Sequence, residues 1–239
     1  MEHLQTLSNF INRDFSMNSG ERQTATKVAD IRVDHVNRYN LAIEIINKIF
    51  DKSVVLNGMD VFCGNGYGSF LISNNTNSIL ISIDGSKDAI ECAKQYYSNN
   101  NISYKNELFP FDIKENHYDF IVSLESVEHV EDDKLFLKNL HDALKNNGIL
   151  IISTPNKEIQ DLTINPNPFH FRHYYNNELL ELTQKIGFQC IECYGQDVYI
   201  IDQNKKICGL LNSNEMNIKK DYNGQFTIFI LKKTNLDIK

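Results

Sequence analysis

Short apolar runs alternate along this chain with stretches whose apolar residues recur every three or four positions. The runs at residues 57–62, 78–84, 102–105, 118–124 and 148–153 read as strands, and residues 68–73, 87–97 and 134–144 read as helices between them. Strands separated by helices imply right-handed parallel crossovers. Beyond a loop rich in Asn and Pro, residues 177–186 predict another helix, and residues 188–194 and 226–231 predict two last strands close enough to pair antiparallel. Ahead of this alternation, Val28, Ile31, Val36, Tyr39, Ile43, Ile46 and Ile49 recur at roughly helical spacing, so one or two amphipathic helices are expected within residues 21–50. The fold class expected is α/β, a doubly wound, mostly parallel seven-stranded sheet with helices on both faces and an antiparallel last strand.

Composition narrows the class. The 239 residues, 41% of them hydrophobic, suffice for one sizeable core. We therefore expect residues 21–239 to form a single domain, with residues 1–20, polar with scattered aromatics, as an N-terminal extension or flap. The net charge is −7 and the 24 basic residues form no stripe, which argues against nucleic acid as a partner. The first residues lack a signal-peptide pattern and no apolar run would span a bilayer, so a cytoplasmic location is expected. Five cysteines cannot all pair; Cys63 and Cys92 sit in apolar patterns as small hydrophobes. Cys190 and Cys193 have the spacing of half a zinc site, but no second pair follows and their segment reads as a strand. Nothing in the sequence signals an oligomeric state.

The segment from Met59 to Ser69 follows a strand and opens a helix, the place where doubly wound sheets bind nucleotides. Gly64, Gly66 and Gly68 would let the backbone turn sharply beside a ligand. A dinucleotide fingerprint would place its last glycine at position 69, which is Ser69, and pyrophosphate would be repelled by Asp60 at the strand end. A sulfonium ligand with an amino-acid tail, S-adenosylmethionine, gains from such a carboxylate. The second strand ends in Asp84, placed to accept ribose hydroxyls beside Gly85; read alone, Asp84 and Gly85 would simply begin a turn.

These motifs resemble those of the class I, Rossmann-like methyltransferases over roughly residues 21–231. Further segments in the same order strengthen the likeness: Phe109-Pro110-Phe111, then residues 118–122, 125–130 and 144–156. The resemblance implies S-adenosylmethionine as cofactor, bound by Asp60, Gly64, Gly66, Gly68, Asp84, Gly85 and Glu125. Adenine in this family is often held by an acid after the third strand; here Asn106 and Glu107 come first, with Asp112 a further register. His35-Val36-Asn37-Arg38-Tyr39 is similar to a helix found before the core in members acting in sugar and polysaccharide pathways, where Arg38 would meet the cofactor carboxylate. The plainer reading leaves Tyr39 in the core and Arg38 as a solvated charge.

Methyl transfer to oxygen needs an aligned acceptor and removal of its proton. Glu125, Glu128 and His129 follow the fourth strand, at the rim where such groups must sit, and His129 is the first candidate base, with Glu128 and His170 beside it. Glu128 and His129 would equally well start a helix, with a carboxylate near its positive end. The spacing Glu125-x-x-Glu128-His129 also resembles the acidic-His segment of ubiquinone-type O-methyltransferases, linked there to a divalent cation, and metal dependence stays open. Residues 165–174, with Asn167, Phe169, His170, Phe171 and Arg172, look substrate-facing and similar to segments of glycan-modifying relatives, although packing explains the two phenylalanines as well. The expected acceptor is a small molecule, first a sugar, nucleotide sugar or glycan precursor, then a phenolic or quinone-like hydroxyl, then a small amine. A cofactor-binding subunit without catalysis is the non-enzyme alternative.

Overall fold

The computed structural model describes residues 16–19 and 22–234. The extension expected over residues 1–20 therefore lies largely outside the described residues. Five strands, β1 (Leu56–Val61), β2 (Ser78–Asp84), β3 (Ile102–Asn106), β4 (Tyr118–Leu124) and β5 (Leu144–Pro155), run parallel in the order β3-β2-β1-β4-β5. The sheet continues through β10 (Phe226–Lys233) and β6 (Phe188–Gln196) to β9 (Ile218–Lys220), with β10 antiparallel to both β5 and β6. A separate hairpin pairs β7 (Tyr199–Ile201) with β8 (Ile207–Leu210).

The main sheet thus has eight strands, where the hydrophobic pattern predicts seven. The additional one, β9, is only three residues long and half exposed, so it lacks the apolar run by which strands are recognised. The antiparallel pairing of the last long strand agrees with expectation.

Alternation along β4 explains the two-sided packing. Phe120 and Val122 face one layer with Ala42, Ile45, Ile46 and Ile72, whereas Ile121 faces the other with Phe136, Leu137 and Leu140. The first layer comes from helices α1 (Val33–Ile49) and α2 (Tyr67–Asn75) and the second from α4 (Asp133–Ala143), joined by α5 (Asn176–Ile186) through Leu179. Between these, α3 (Lys87–Tyr96) sets Ile90 and Ala93 against Cys63 and Tyr104. Helix starts follow their caps: Ser86 Oγ accepts from the Ala89 amide, and the Asp132 carboxylate accepts from Leu135. Close approach of β1 and β4 needs Gly58, where a Cβ would stand 2.2 Å from the Phe120 ring. All five cysteines are free, and Cys190 and Cys193 lie on β6, the strand expected for them.

Candidate active site

A cavity of about 380 Å³ opens at the carboxyl ends of β1, β2 and β4. Its walls include Gly64, Asp84, Glu107, Glu125, His129 and Phe169. At the C-termini of β1 and β4 stand two non-glycine residues with left-handed backbones, Phe62 at φ 58° and Glu125 at φ 51°, a conformation that persists only where neighbours hold it. Phe62 is fixed by edge-to-face contacts with Phe111 and Phe136. Glu125 is clamped by Ser153: its amide donates to Ser153 Oγ (3.0 Å) and its carboxylate accepts from the same hydroxyl (2.6 Å).

The three glycines of the loop have different reasons to be glycine. Gly64, at φ 55°, faces open space within the cavity, so a side chain there would fill the cradle a ligand needs. Gly66, at φ 85°, would push a Cβ into Ala93 and Tyr104. Gly68 opens α2 against the Tyr39 ring, where a Cβ would lie 2.0 Å from the nearest carbon. Gly68 is thus a packing position, and of the three glycines Gly64 is the one on the cavity wall.

Asp60 departs further from its expected place. It is fully buried behind the loop, accepting from Ser69 Oγ (2.6 Å) and from the Tyr39 hydroxyl (3.3 Å), and it forms no part of the cavity wall. Burial pushes its carboxyl up to about 7, against the pull of those two hydroxyls. In this place it ties α1 to α2 beneath the glycine loop.

Asp84 does reach the cavity. Its carboxylate accepts from the Gly64 amide (2.9 Å) and the Ser86 amide (2.8 Å), and Arg22 pairs with the same group at 3.0 Å. The acid that sequence assigns to ribose is therefore also the tie between loop and strand. Gly85 and Glu107 line the wall beside it; Asn106, exposed at the end of β3, donates to the Asp84 carbonyl (3.0 Å). Of the three register alternatives for adenine, Glu107 is the one on the wall.

Arg38 lies on the cavity wall, yet it is neither solvated nor open to a ligand on all sides. It is 1% exposed, donates to Gln196 (2.7 Å) and Asp34 (3.3 Å), lies 3.9 Å from Glu125, and stacks over Phe226. Tyr39 is in the core, as the plainer reading expects. Residues beyond the sequence reading include Arg22 and Gln23, which line the cavity together with His35 of the expected helix motif, and Asn65, which donates to the Ala25 carbonyl (2.8 Å). Tyr97 donates to the same carbonyl (2.9 Å), pinning the segment before α1 across the loop. No periodicity marks Arg22 or Gln23; their role depends on where the chain ahead of α1 crosses the sheet.

Around the fourth strand, residues 127–129 form one 3-10 turn. His129 lines the cavity and donates from Nδ1 toward the Phe169 carbonyl (3.1 Å). Glu128 points away: it is fully buried, accepts from Thr154 (3.0 Å), and its carbonyl receives the Phe171 amide (2.8 Å). His170 stands behind His129, ring centroids 4.6 Å apart, and outside the wall. Ligand-capable atoms of Glu128, His129 and His170 lie within 4.8 Å of one another. In this arrangement His170 already engages His173 through Nδ1 (2.6 Å) and Asn167 through Nε2 (3.1 Å), so the cluster is a hydrogen-bonded one.

The sequence profile of the family described as Methyltransferase domain matches residues 51–205, which spans β1 through the β7–β8 turn. The chain belongs to this family. Members use S-adenosylmethionine, and the open cradle at Gly64 beside Asp84 fits such a cofactor. A probable S-adenosylmethionine-dependent methyltransferase of Mycolicibacterium smegmatis is 29% identical over 147 residues, covering 58% of this chain and 55% of that protein. A ubiquinone biosynthesis O-methyltransferase of Rickettsia typhi is 35% identical over 129 residues, 53% of this chain and 51% of the relative. This methyltransferase-family chain thus spans about half the length of the curated relatives it matches. A crystal structure from Thermotoga maritima, titled a possible histamine N-methyltransferase, shares the fold at TM-score 0.59 and 16% identity, covering 84% of this chain and 92% of the other. A putative methyltransferase of Haloferax volcanii, solved with the activator Trm112, does so at 0.62 and 12%, covering 84% and 92%.

Proposed function

We propose that this protein is an enzyme that transfers the methyl group of S-adenosylmethionine to a hydroxyl oxygen of a small acceptor with an apolar, phenolic body. The observation carrying this reading is His129 set beside Phe169, Val130 and Leu135 on the cavity wall, with Phe62 and Phe111 also on it. Flat apolar surfaces beside a histidine suit an aromatic hydroxyl. The likeness to ubiquinone O-methyltransferases is in keeping with this.

A sugar acceptor, the first expectation from sequence, rests on the polar groups of residues 165–174, and these are engaged within the protein. Asn167 binds the Phe169 amide and His170, Arg172 binds Asp133 (2.8 Å) and the Glu131 carbonyl, and His173 binds the Gln160 carbonyl. Few of them remain to meet ring hydroxyls.

Bound S-adenosylmethionine supplies an electrophilic methyl carbon on a positive sulfur. Asp84, Gly64 and Glu107 hold the nucleoside end in this reading, and Glu125 and Arg38 border the amino-acid end. His129 Nε2 would take the acceptor's hydroxyl proton as its oxygen accepts the methyl group that the bound cofactor would supply. The phenylalanine walls align the acceptor and exclude water.

The test is product analysis. The protein is incubated with S-adenosylmethionine and, separately, a catechol, a nucleotide sugar and a primary amine, with methylated product and S-adenosylhomocysteine followed by mass spectrometry. Turnover of the catechol alone is expected; turnover confined to the sugar or the amine overturns the acceptor assignment. His129→Ala should lower kcat by ~10²–10⁴-fold, the usual share of a general base, with S-adenosylhomocysteine affinity kept. Equal loss of both would overturn its role as base.

A further inference from the structure

We infer that Arg22 sets the affinity for the cofactor as a side-chain latch: it holds one oxygen of Asp84 and must yield it to a ribose hydroxyl when the cofactor binds. The inference rests on Asp84 holding the ribose.

An ionised carboxylate offers about four lone-pair sites, two on each oxygen. Among the described residues three donors reach Asp84. The Ser86 amide (2.8 Å) and Arg22 Nη2 (3.0 Å) share Oδ1, and the Gly64 amide (2.9 Å) takes one site on Oδ2. A ribose that donates from both hydroxyls, one to each oxygen, needs a site on each. Oδ2 has one to give, whereas both on Oδ1 are taken. The Ser86 amide is not free to leave, because it lies two residues from Asp84 in the same turn and Ser86 Oγ caps α3 by accepting from the Ala89 amide. Arg22 reaches Asp84 from 62 positions away in sequence, at the end of a long side chain that is 17% exposed, so a rotation of that side chain suffices to withdraw it. The carboxylate itself is 2% exposed, and taking a donor from a buried charge is costly unless another arrives. Arg22 therefore exchanges with the ribose hydroxyl.

The backbone that carries Arg22 is tied down. Gln23 Oε1 accepts from the Arg32 amide (3.2 Å), and the Ala25 carbonyl accepts from Asn65 Nδ2 (2.8 Å) and the Tyr97 hydroxyl (2.9 Å). Asn65 follows Gly64 in the glycine loop, so the segment ahead of α1 is fastened to the same loop that Asp84 holds. A displaced guanidinium stays tethered beside its carboxylate at high effective concentration and returns when the nucleoside leaves. S-adenosylmethionine and S-adenosylhomocysteine carry the same ribose, so the latch opposes the binding of both and hastens the departure of the product.

Titration calorimetry with S-adenosylhomocysteine tests this without turnover. Arg22→Ala should bind ~3- to 10-fold more tightly than wild type, the scale of a partly exposed ion pair, and Arg22→Lys, which keeps a cation for Asp84, should restore most of the wild-type affinity. Unchanged or weaker binding by a folded Arg22→Ala protein would overturn the latch. The 2′-deoxy and 3′-deoxy forms of the same ligand bring one hydroxyl, which the open site on Oδ2 accepts, so Arg22 keeps its place. With them Arg22→Ala should gain no more than ~2-fold, the limit of simple additivity. An equal gain with the deoxy ligands would show that Arg22 opposes the ligand by charge or bulk, and the exchange at Oδ1 would fail. Asp84→Ala separates the two layers of the argument. Unchanged affinity in Asp84→Ala removes the ribose assignment and the latch with it; weaker binding there, without a gain in Arg22→Ala, leaves the ribose assignment standing and refutes the latch alone.

Discussion

Replacing Asp60 by Asn should change how stability depends on pH, and the size of the change follows from where the carboxylate sits. Asp60 is wholly buried, and burial raises its carboxyl from 3.8 to about 7. A carboxyl whose folded pKa is raised favours folding below its unfolded value, and that contribution is lost as pH rises through the folded value. Each displaced unit corresponds to about 1.4 kcal/mol, so the full loss by about pH 8 is on the order of 4 kcal/mol. Between about pH 5.5 and about pH 8, roughly 2 kcal/mol of it is lost, because the carboxyl still holds its proton at the lower value. Asn does not titrate, and its oxygen can still accept from Ser69. His35 and His173, held down to about 3 and about 4, are neutral across this interval in both proteins. The difference between variant and wild type therefore isolates position 60. Calorimetric melts without cofactor should show Asp60→Asn gaining about 4–8 °C on wild type from the lower pH to the higher, at 2–4 °C per kcal/mol for a chain of this size. A constant difference at both values would show that Asp60 is ionised in the folded protein throughout, and the argument from burial would fail.

Asp84→Ala removes the acceptor of the Gly64 and Ser86 amides, so S-adenosylhomocysteine affinity should fall by ~1–3 kcal/mol by titration calorimetry, more than for Asp60→Asn. Gly68→Ala places a methyl 2.0 Å from the Tyr39 ring and should lower stability by ~1–3 kcal/mol, seen as a lower melting temperature even without cofactor.

The buried half of the fold is legible in the sequence because its strands are nearly continuous apolar runs. The expected bounds of β2 and β4 match the structure, β3 is longer by one residue at its end, and β1 is shifted by one residue at both ends. The hairpin Tyr199–Ile201 and Ile207–Leu210 and the strand Ile218–Lys220 are not legible: they are short, half exposed, and held by pairing and by a small cluster of Val198, Met216 and Phe226. β5 starts earlier than expected because its polar opening, Lys145-Asn146-Asn147, has no apolar pattern. In the site, motif spacing finds the residues but not their facing. Asp60 lies at the end of β1 and Glu128 in the turn after β4, as the pattern suggests, yet their side chains turn into the protein, and the choice between cavity and core is made by partners distant in sequence, Tyr39 for one and Thr154 for the other. Arg22 and the His170–His173 contact likewise depend on which loops meet, which periodicity does not encode.

The short strand β9 at the sheet's far edge has a bearing on colloidal behaviour. An open edge is a template on which another copy can add a strand, and fibres begin there. Here the last strand is three residues long and two of them are Lys219 and Lys220, both exposed, with Lys219 resting over the Tyr222 ring and Lys220 paired to Glu192 at 3.4 Å. A second chain seeking that edge would have to desolvate two ammonium groups for the few backbone bonds so short a strand can offer. Replacing both lysines with apolar β-branched residues would leave the catalytic end of the sheet untouched and convert its rim into an aggregation seed.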